Sequence, residues 1–123
     1  MGGGAILDIG VYAVNFCSLA FSDRPVKTIQ AIGAVDDNHI DNELCATMLF
    51  EGEDETEKSQ GFGQFYCTFN SDPPCDGLIV GEKGYVKVHA PFWCSTKLSV
   101  KLNENGQRSP QEIDFAMPNS DNL

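Results

Sequence analysis

The chain is poor in basic residues. Its 123 residues include 8 Lys and Arg against 18 Asp and Glu, which gives a formal net charge of −10 at pH 7. Nucleic acids and anionic membrane surfaces are bound mainly by clusters of Lys and Arg. The sequence therefore argues against both as partners.

Histidine is scarce, and the five cysteines do not have the spacing of a metal site or a disulfide framework. Zinc ligands come in pairs about two to five residues apart, whereas His39 and His89 have no such companions. An odd number of widely spaced cysteines is typical of reduced thiols that pack as small apolar side chains. We predict no metal site and a cytoplasmic protein with free thiols at Cys17, Cys45, Cys67, Cys75 and Cys94.

No apolar run is suited to crossing a membrane. Residues 5–21 are mostly apolar, but they include Asp8 and Asn15 and have no basic flanks. The run is also shorter than the ~20 residues of a transmembrane helix. A secretory signal would need positive charge before the run, where this chain has Met-Gly-Gly-Gly. We expect a buried helix in a protein without a membrane partner.

Beyond Pro25 the apolar residues alternate with a period of two, which indicates strands. No second helical pattern of ten or more residues separates them, so parallel crossovers are not expected. The predicted fold class is α+β: one N-terminal buried helix followed by a six- to seven-stranded, mostly antiparallel open sheet. The predicted strands are 26–35, 44–50, 62–69, 78–80, 85–90 and 97–102, with a seventh near 113–115.

Two further segments are predicted as connections. The acidic run 51–57 is expected to be a solvated loop, and Asn103–Gly106 carries an Asn-Gly turn signal. One helix covers only part of a sheet of this size. The sequence therefore suggests a piece of a larger protein.

A polar stripe interrupts the predicted helix. Asp8 and Tyr12 are four residues apart and Asn15 follows three later, so all three share one helical face. They are ordinary residues of a helix edge or, alternatively, part of a site, because buried polar groups need partners or a cavity. Two interpretations also remain for the glycines at 2–4. They let the backbone approach a ligand closely, or they form a flexible segment before the helix.

The run GGGAILDIGVYAVNF, together with GEKGYVKVHAPFWCSTKLSV downstream, resembles the dimeric dihydrodiol dehydrogenases. These belong to the wider glucose–fructose oxidoreductase/inositol dehydrogenase (Gfo/Idh/MocA) family. The second domain of that family opens on G-G-G-x-x-x-D-x-G-x-(H/Y), which this chain matches from Gly2 to Tyr12. The likeness covers residues 2 to about 102.

The resemblance implies roles for four residues. Tyr12 matches the tyrosine that acts beside a lysine as the acid/base for the substrate oxygen, and Asp8 matches an aspartate that orients the same site. Ile9 and Trp93 match residues that contact a small-molecule substrate. The implied activity is NAD(P)-dependent hydride transfer from a diol or sugar hydroxyl, as in dihydrodiol or D-xylose dehydrogenases, with NADP or NAD as cofactor.

The resemblance also implies that residues 1–123 are a partial C-terminal domain, for substrate binding and dimerisation, of a two-domain oxidoreductase. The Rossmann domain, with its glycine-rich turn and its Glu-Lys-Pro lysine, is absent from this sequence. The chain alone is expected to bind no cofactor and to be inactive. Two alternatives remain: a non-catalytic module that forms a homodimer through the open sheet, and an unrelated α+β domain.

Overall fold

The computed structural model describes residues 3–52, 60–103 and 111–115. The chain divides into two compact units, Met1–Asp72 and Pro73–Leu123, and each is described by itself. Most of the predicted acidic loop lies outside the described residues, as does most of the predicted Asn103–Gly106 turn. The predictions for those two segments therefore stay predictions.

The first unit consists of a helix and a three-stranded sheet. The helix begins with a π-helical turn, Ile6–Gly10, and continues as α1, Val11–Ala20. The strands have the order β1-β2-β3, and both pairings are antiparallel. Their bounds are Val26–Val35 for β1, Asp41–Phe50 for β2 and Gly61–Thr68 for β3.

The core of this unit lies between α1 and the sheet. Alternate residues of β2 are buried, as a strand with one covered face requires. Met48 and Phe50 pack against Cys17 of α1, and the Phe50 ring stacks on Phe21 with centroids 4.4 Å apart. The alternation predicted for β2 therefore places its buried residues on the face against which α1 packs.

Two glycines of β3 let the helix approach the sheet closely. A Cβ at Gly63 would lie 2.9 Å from the Cys17 sulfur, and one at Gly61 would overlap the Phe21 ring. Both positions face the helix side of the strand, since they are two residues apart. The missing side chains thus create the space in which α1 lies.

The prediction of a buried helix holds for one face only. Leu7 and Leu19 are 71% and 69% exposed, and Val11 is also exposed, whereas Gly10 and Cys17 are buried against the sheet. An apolar run gives no indication of which side of a helix is covered, and the three-stranded sheet covers only one side. The expectation of a largely buried helix is corrected accordingly.

The second unit is a four-stranded antiparallel sheet with the order β4-β5-β6-β7. Its strands are β4, Gly77–Gly81; β5, Gly84–Val88; β6, Lys97–Leu102; and β7, Gln111–Asp114. A 3₁₀ turn, Phe92–Cys94, precedes β6.

Within the described residues, the α+β class, the single N-terminal helix and the antiparallel strands are confirmed. The seven strands of the described residues form two sheets, of three and four strands. Between β3 and β4 the chain contains Pro73-Pro74, and proline has no N–H with which to continue a sheet ladder. In the described residues, no helix is long and apolar enough to cross a membrane.

Candidate functional site

The predicted polar stripe lies on the exposed side of the helix. Asp8 is in the π-helical turn, and Tyr12 and Asn15 follow in α1. All three side chains are exposed, Tyr12 by 48%. The predicted common face is therefore present, but it faces outward, and the burial expected for the carboxylate and the phenol does not occur.

The π-helical turn sets the stripe apart from an ordinary helix surface. Such turns are rare and are found frequently at functional sites. Here the turn contains Asp8 and Ile9 and ends at Gly10, directly before the segment with Tyr12. Ile9 is half-buried at the border between the exposed stripe and the packed face.

Gly10 holds the opposite face of the same turn against the sheet. A Cβ at Gly10 would lie 2.7 Å from the Ile6 side chain and 3.2 Å from the Cys67 sulfur. Residues two apart on a helix point to nearly opposite sides, so the contact made at Gly10 turns Asp8 and Tyr12 outward.

Two thiols lie beneath the helix, where they are uncharged. Burial raises the pKa of Cys17. Burial also raises the pKa of Cys67, and the negative charge of Asp41 adds to that effect. The two thiols are therefore neutral near pH 7 and pack as apolar groups beneath the turn.

The glycine run does not form a phosphate cradle in the described residues. A Cβ at Gly4 would overlap the carboxylate of Asp41, and that negative charge would repel a phosphate. Every strand pairing in the described part of the chain is antiparallel, whereas a dinucleotide site needs a parallel strand–turn–helix unit. The described residues do not fit NADP or NAD.

Trp93, the fourth predicted site residue, belongs to the second unit. It lies in the 3₁₀ turn, is 50% exposed and meets the Phe92 ring edge-on with centroids 5.2 Å apart. The Phe92 amide donates a hydrogen bond to the Cys75 carbonyl at 2.9 Å, which ties the turn to the segment before β4. An exposed aromatic side chain on an anchored turn is suited to contact an apolar ligand.

His89 takes part in a polar cluster on the second sheet. Its Nε2 lies 2.7 Å from the Ser99 hydroxyl. Two ion pairs flank it: Lys87 with Asp76 and Lys97 with Glu112, each at 2.8 Å. These mutually paired groups stabilise the sheet surface. Among the described side chains, no three His, Cys, Asp or Glu residues group as metal ligands would.

Asp41 is the one residue at the site that sequence reasoning did not identify. Its carboxylate accepts a hydrogen bond from the Ile6 amide at 2.7 Å. The two residues are 35 positions apart, and no local pattern in the sequence connects them. The sequence feature that relates to this contact is Gly4, because a side chain at that position would overlap the Asp41 carboxylate.

The face of the first sheet that points away from α1, called the open face below, carries exposed apolar side chains beside polar ones. Ile32, Cys45 and Tyr66 form one row across β1, β2 and β3. Ile32 is 79% exposed, and Phe62, on the same face of β3, is 68% exposed. A polar row, Gln30, Thr47 and Gln64, separates these apolar groups. Exposed apolar side chains of this size are common at interfaces.

Comparison with known proteins gives a consistent result. The family described as GFO/IDH/MocA C-terminal domain matches residues 1–87. A protein of Danio rerio named trans-1,2-dihydrobenzene-1,2-diol dehydrogenase is 36% identical over 100 residues, which cover 81% of this chain and 28% of the relative. The protein of the same name from Homo sapiens is 31% identical over 99 residues, covering 80% and 28%. The chain thus spans well under a third of the length of these relatives.

Proposed function

The chain belongs to the GFO/IDH/MocA family through its C-terminal domain, and on that premise we propose that it supplies the substrate side of an NAD(P)-dependent dehydrogenase acting on a diol or sugar hydroxyl. The observation that carries the proposal is the exposed stripe with Asp8 and Tyr12, presented at a π-helical turn. The name of the relatives supports a diol as substrate.

In this proposal Tyr12 exchanges a proton with the substrate oxygen. During oxidation of an alcohol the hydroxyl proton passes to the phenolate oxygen as the C–O bond becomes a carbonyl, and the hydrogen on the same carbon would leave as hydride to oxidised NAD(P) held by the nucleotide-binding domain. A phenol serves this role near neutral pH only beside a cation that stabilises the phenolate. Asp8, one turn before Tyr12, orients the substrate hydroxyl, and Ile9 contacts the apolar part of the substrate. The cation matches the lysine that the family resemblance assigns to the nucleotide-binding domain.

A chimaera tests this role. The segment of the Danio rerio relative that aligns with this chain is replaced by the chain's own 100 residues, and oxidation of trans-1,2-dihydrobenzene-1,2-diol with NADP is measured. Tyr12→Phe should lower turnover by about 10²- to 10⁴-fold, the usual loss when an acid/base is removed. Tyr85→Phe, the same change on β5, serves as the control and should leave turnover within about twofold.

The 123-residue chain alone provides the second arm. We expect it to leave NADPH fluorescence unchanged and to produce no NADPH from the diol, because its described residues form no dinucleotide site. Full turnover by the Tyr12→Phe chimaera would refute the role of Tyr12. Turnover by the chain alone would refute its dependence on a separate nucleotide-binding domain.

A second function is favoured by the open face. We propose that the sheet alternatively serves as a homodimerisation module, because Ile32 and Phe62 leave an apolar surface exposed. Size-exclusion chromatography with light scattering should then report a dimer at micromolar concentration. A monomer throughout that range would contradict this function and leave the catalytic proposal intact.

A further inference from the structure

The first helical turn receives its hydrogen-bond partners from two sources. The amides of Leu7 and Asp8 both donate to the Gly4 carbonyl, at 3.1 Å. The amide of Ile6 donates instead to Oδ2 of Asp41, at 2.7 Å. A helix N-terminus leaves such amides without intrahelical partners, so one of them is satisfied here by a carboxylate from a distant strand.

Gly4 occupies the position where a capping side chain is normally found. Its carbonyl accepts the first helical bonds, which is the role of an N-cap residue, and Ser, Thr, Asp or Asn usually stand there. A glycine has no side chain to offer. The Asp41 carboxylate fills the space that a Gly4 side chain would take, and a Cβ at Gly4 would overlap it. Gly4 thus leaves the space that the Asp41 carboxylate occupies, and Asp41 supplies the capping group that Gly4 lacks.

The carboxylate comes from the first residue of a paired strand and has the favourable charge. Asp41 begins β2, the central strand of the first sheet, and is paired with Val35 of β1. A negative charge at a helix N-terminus interacts favourably with the helix dipole. Hydrogen bonds to an ionised acceptor are also stronger than those between neutral groups.

We propose that Asp41 is a positioning residue: by capping the Ile6 amide it fixes the π-helical turn, and therefore Asp8 and Tyr12, relative to the sheet. Asp8 follows Ile6 by two residues, and Tyr12 lies one turn further along. The significance of the cap for catalysis rests on the proposed function, whereas the cap itself is a property of the helix.

The test uses NMR on the whole 123-residue chain. Asp41→Ala removes the cap, and Asp41→Asn keeps the shape of the side chain but removes the charge. Asp36→Ala is the matched control, because the Asp36 carboxylate also accepts backbone amides, those of Asn38 and Ile40, but in the β1–β2 turn. Amide exchange at residues 6–8 and the Tyr12 ring resonances are followed in each variant.

Asp41→Ala should speed exchange at residues 6–8 by about fivefold relative to later amides of α1, as loss of an N-cap does. It should also shift the Tyr12 ring resonances. Asp41→Asn should give a smaller change in the same direction, and Asp36→Ala should leave both signals unchanged.

A transplanted cap provides the rescue. Adding Gly4→Asp to Asp41→Ala places a carboxylate at the N-cap position itself, in the space vacated by Asp41. This double variant should restore slow exchange at residues 6–8 and the original Tyr12 resonances. A role of Asp41 confined to β2 would not be rescued from Gly4.

Two outcomes would overturn the proposal: wild-type exchange at residues 6–8 in Asp41→Ala, or equal acceleration across α1 and β2 with no rescue. Neither measurement uses diol or nucleotide. A chimaera that tolerates Tyr12→Phe would therefore refute the proposed function alone, and unchanged exchange would refute the cap alone.

Discussion

Individual thiols report on the packing beneath the helix. Cys17 and Cys67 lie between α1 and the first sheet, and burial raises the pKa of each. Cys45 and Cys94 are exposed. Because the thiolate is the reactive form, the raised pKa and the burial of Cys17 and Cys67 both slow their reaction with thiol reagents.

We predict that a thiol reagent such as a maleimide modifies Cys45 and Cys94 at least tenfold faster than Cys17 and Cys67 near pH 7. Site-resolved mass spectrometry measures the order of labelling, and denatured chain should label all four at similar rates. Rapid labelling of Cys17 in the folded chain would show that α1 does not pack as described.

At the residue scale, the spacing of nearby residues predicted which of them share a helix face. Contacts between residues far apart in the sequence could not be predicted. The offsets between Asp8, Tyr12 and Asn15 placed them correctly on one face, because helical geometry depends only on spacing. The contact of Asp41 with the Ile6 amide could not be predicted, because it joins residues 35 positions apart. The roles of Asp8, Ile9, Tyr12 and Trp93 remain predictions from family resemblance.

Among the elements, β2 contributes most of the core of the first unit. Phe50 is fully buried and stacks on Phe21. Arg24 strengthens this end of the helix: it donates to the carbonyls of Phe21 and Glu51 and lies 5.3 Å from the centre of the Phe21 ring. The end of α1 is thus fixed to the end of β2.

We predict that Phe50→Ala lowers the free energy of unfolding by about 3–5 kcal/mol, through lost apolar burial and the cavity left behind. Phe62→Ala, the same change at an exposed position of β3, should cost less than about 0.5 kcal/mol. Urea denaturation at low protein concentration compares the two. Equal losses in both variants would contradict the assignment of the core to the α1 side.

Strands were easier to predict than the surroundings of the helix. Period-two alternation is a local property, and the predicted β1 agrees with the observed Val26–Val35. The apolar run at residues 5–21 predicted a largely buried helix, yet the sheet covers only the side with Gly10 and Cys17. Coverage depends on how many elements surround a helix, which its own sequence does not encode.

For the whole molecule, the open face is the feature that distinguishes the two proposed functions. Cys45 lies in the row between Ile32 and Tyr66 on that face. Cys94 lies in the 3₁₀ turn of the second unit. Cys45 therefore samples the proposed dimer surface, and Cys94 samples the surface of the second unit.

We predict that labelling of Cys45 slows at least tenfold as the concentration rises from nanomolar to micromolar if the open face pairs with a second copy, because burial in the interface excludes the reagent. Cys94 should label at a constant rate over the same range. Ile32→Lys should abolish the concentration dependence by placing a charge in the interface. Parallel slowing at both cysteines would indicate nonspecific association.

The cap at Asp41 also has a consequence for the order of events during synthesis. The helix leaves the ribosome before β2, so its first turn is complete in sequence while its Ile6 amide still lacks the carboxylate that satisfies it. Short isolated helices are marginal in water, and the apolar side of this one has nothing to pack against until the sheet exists. The capped turn with Asp8 is therefore expected to form only after β1 and β2 have paired.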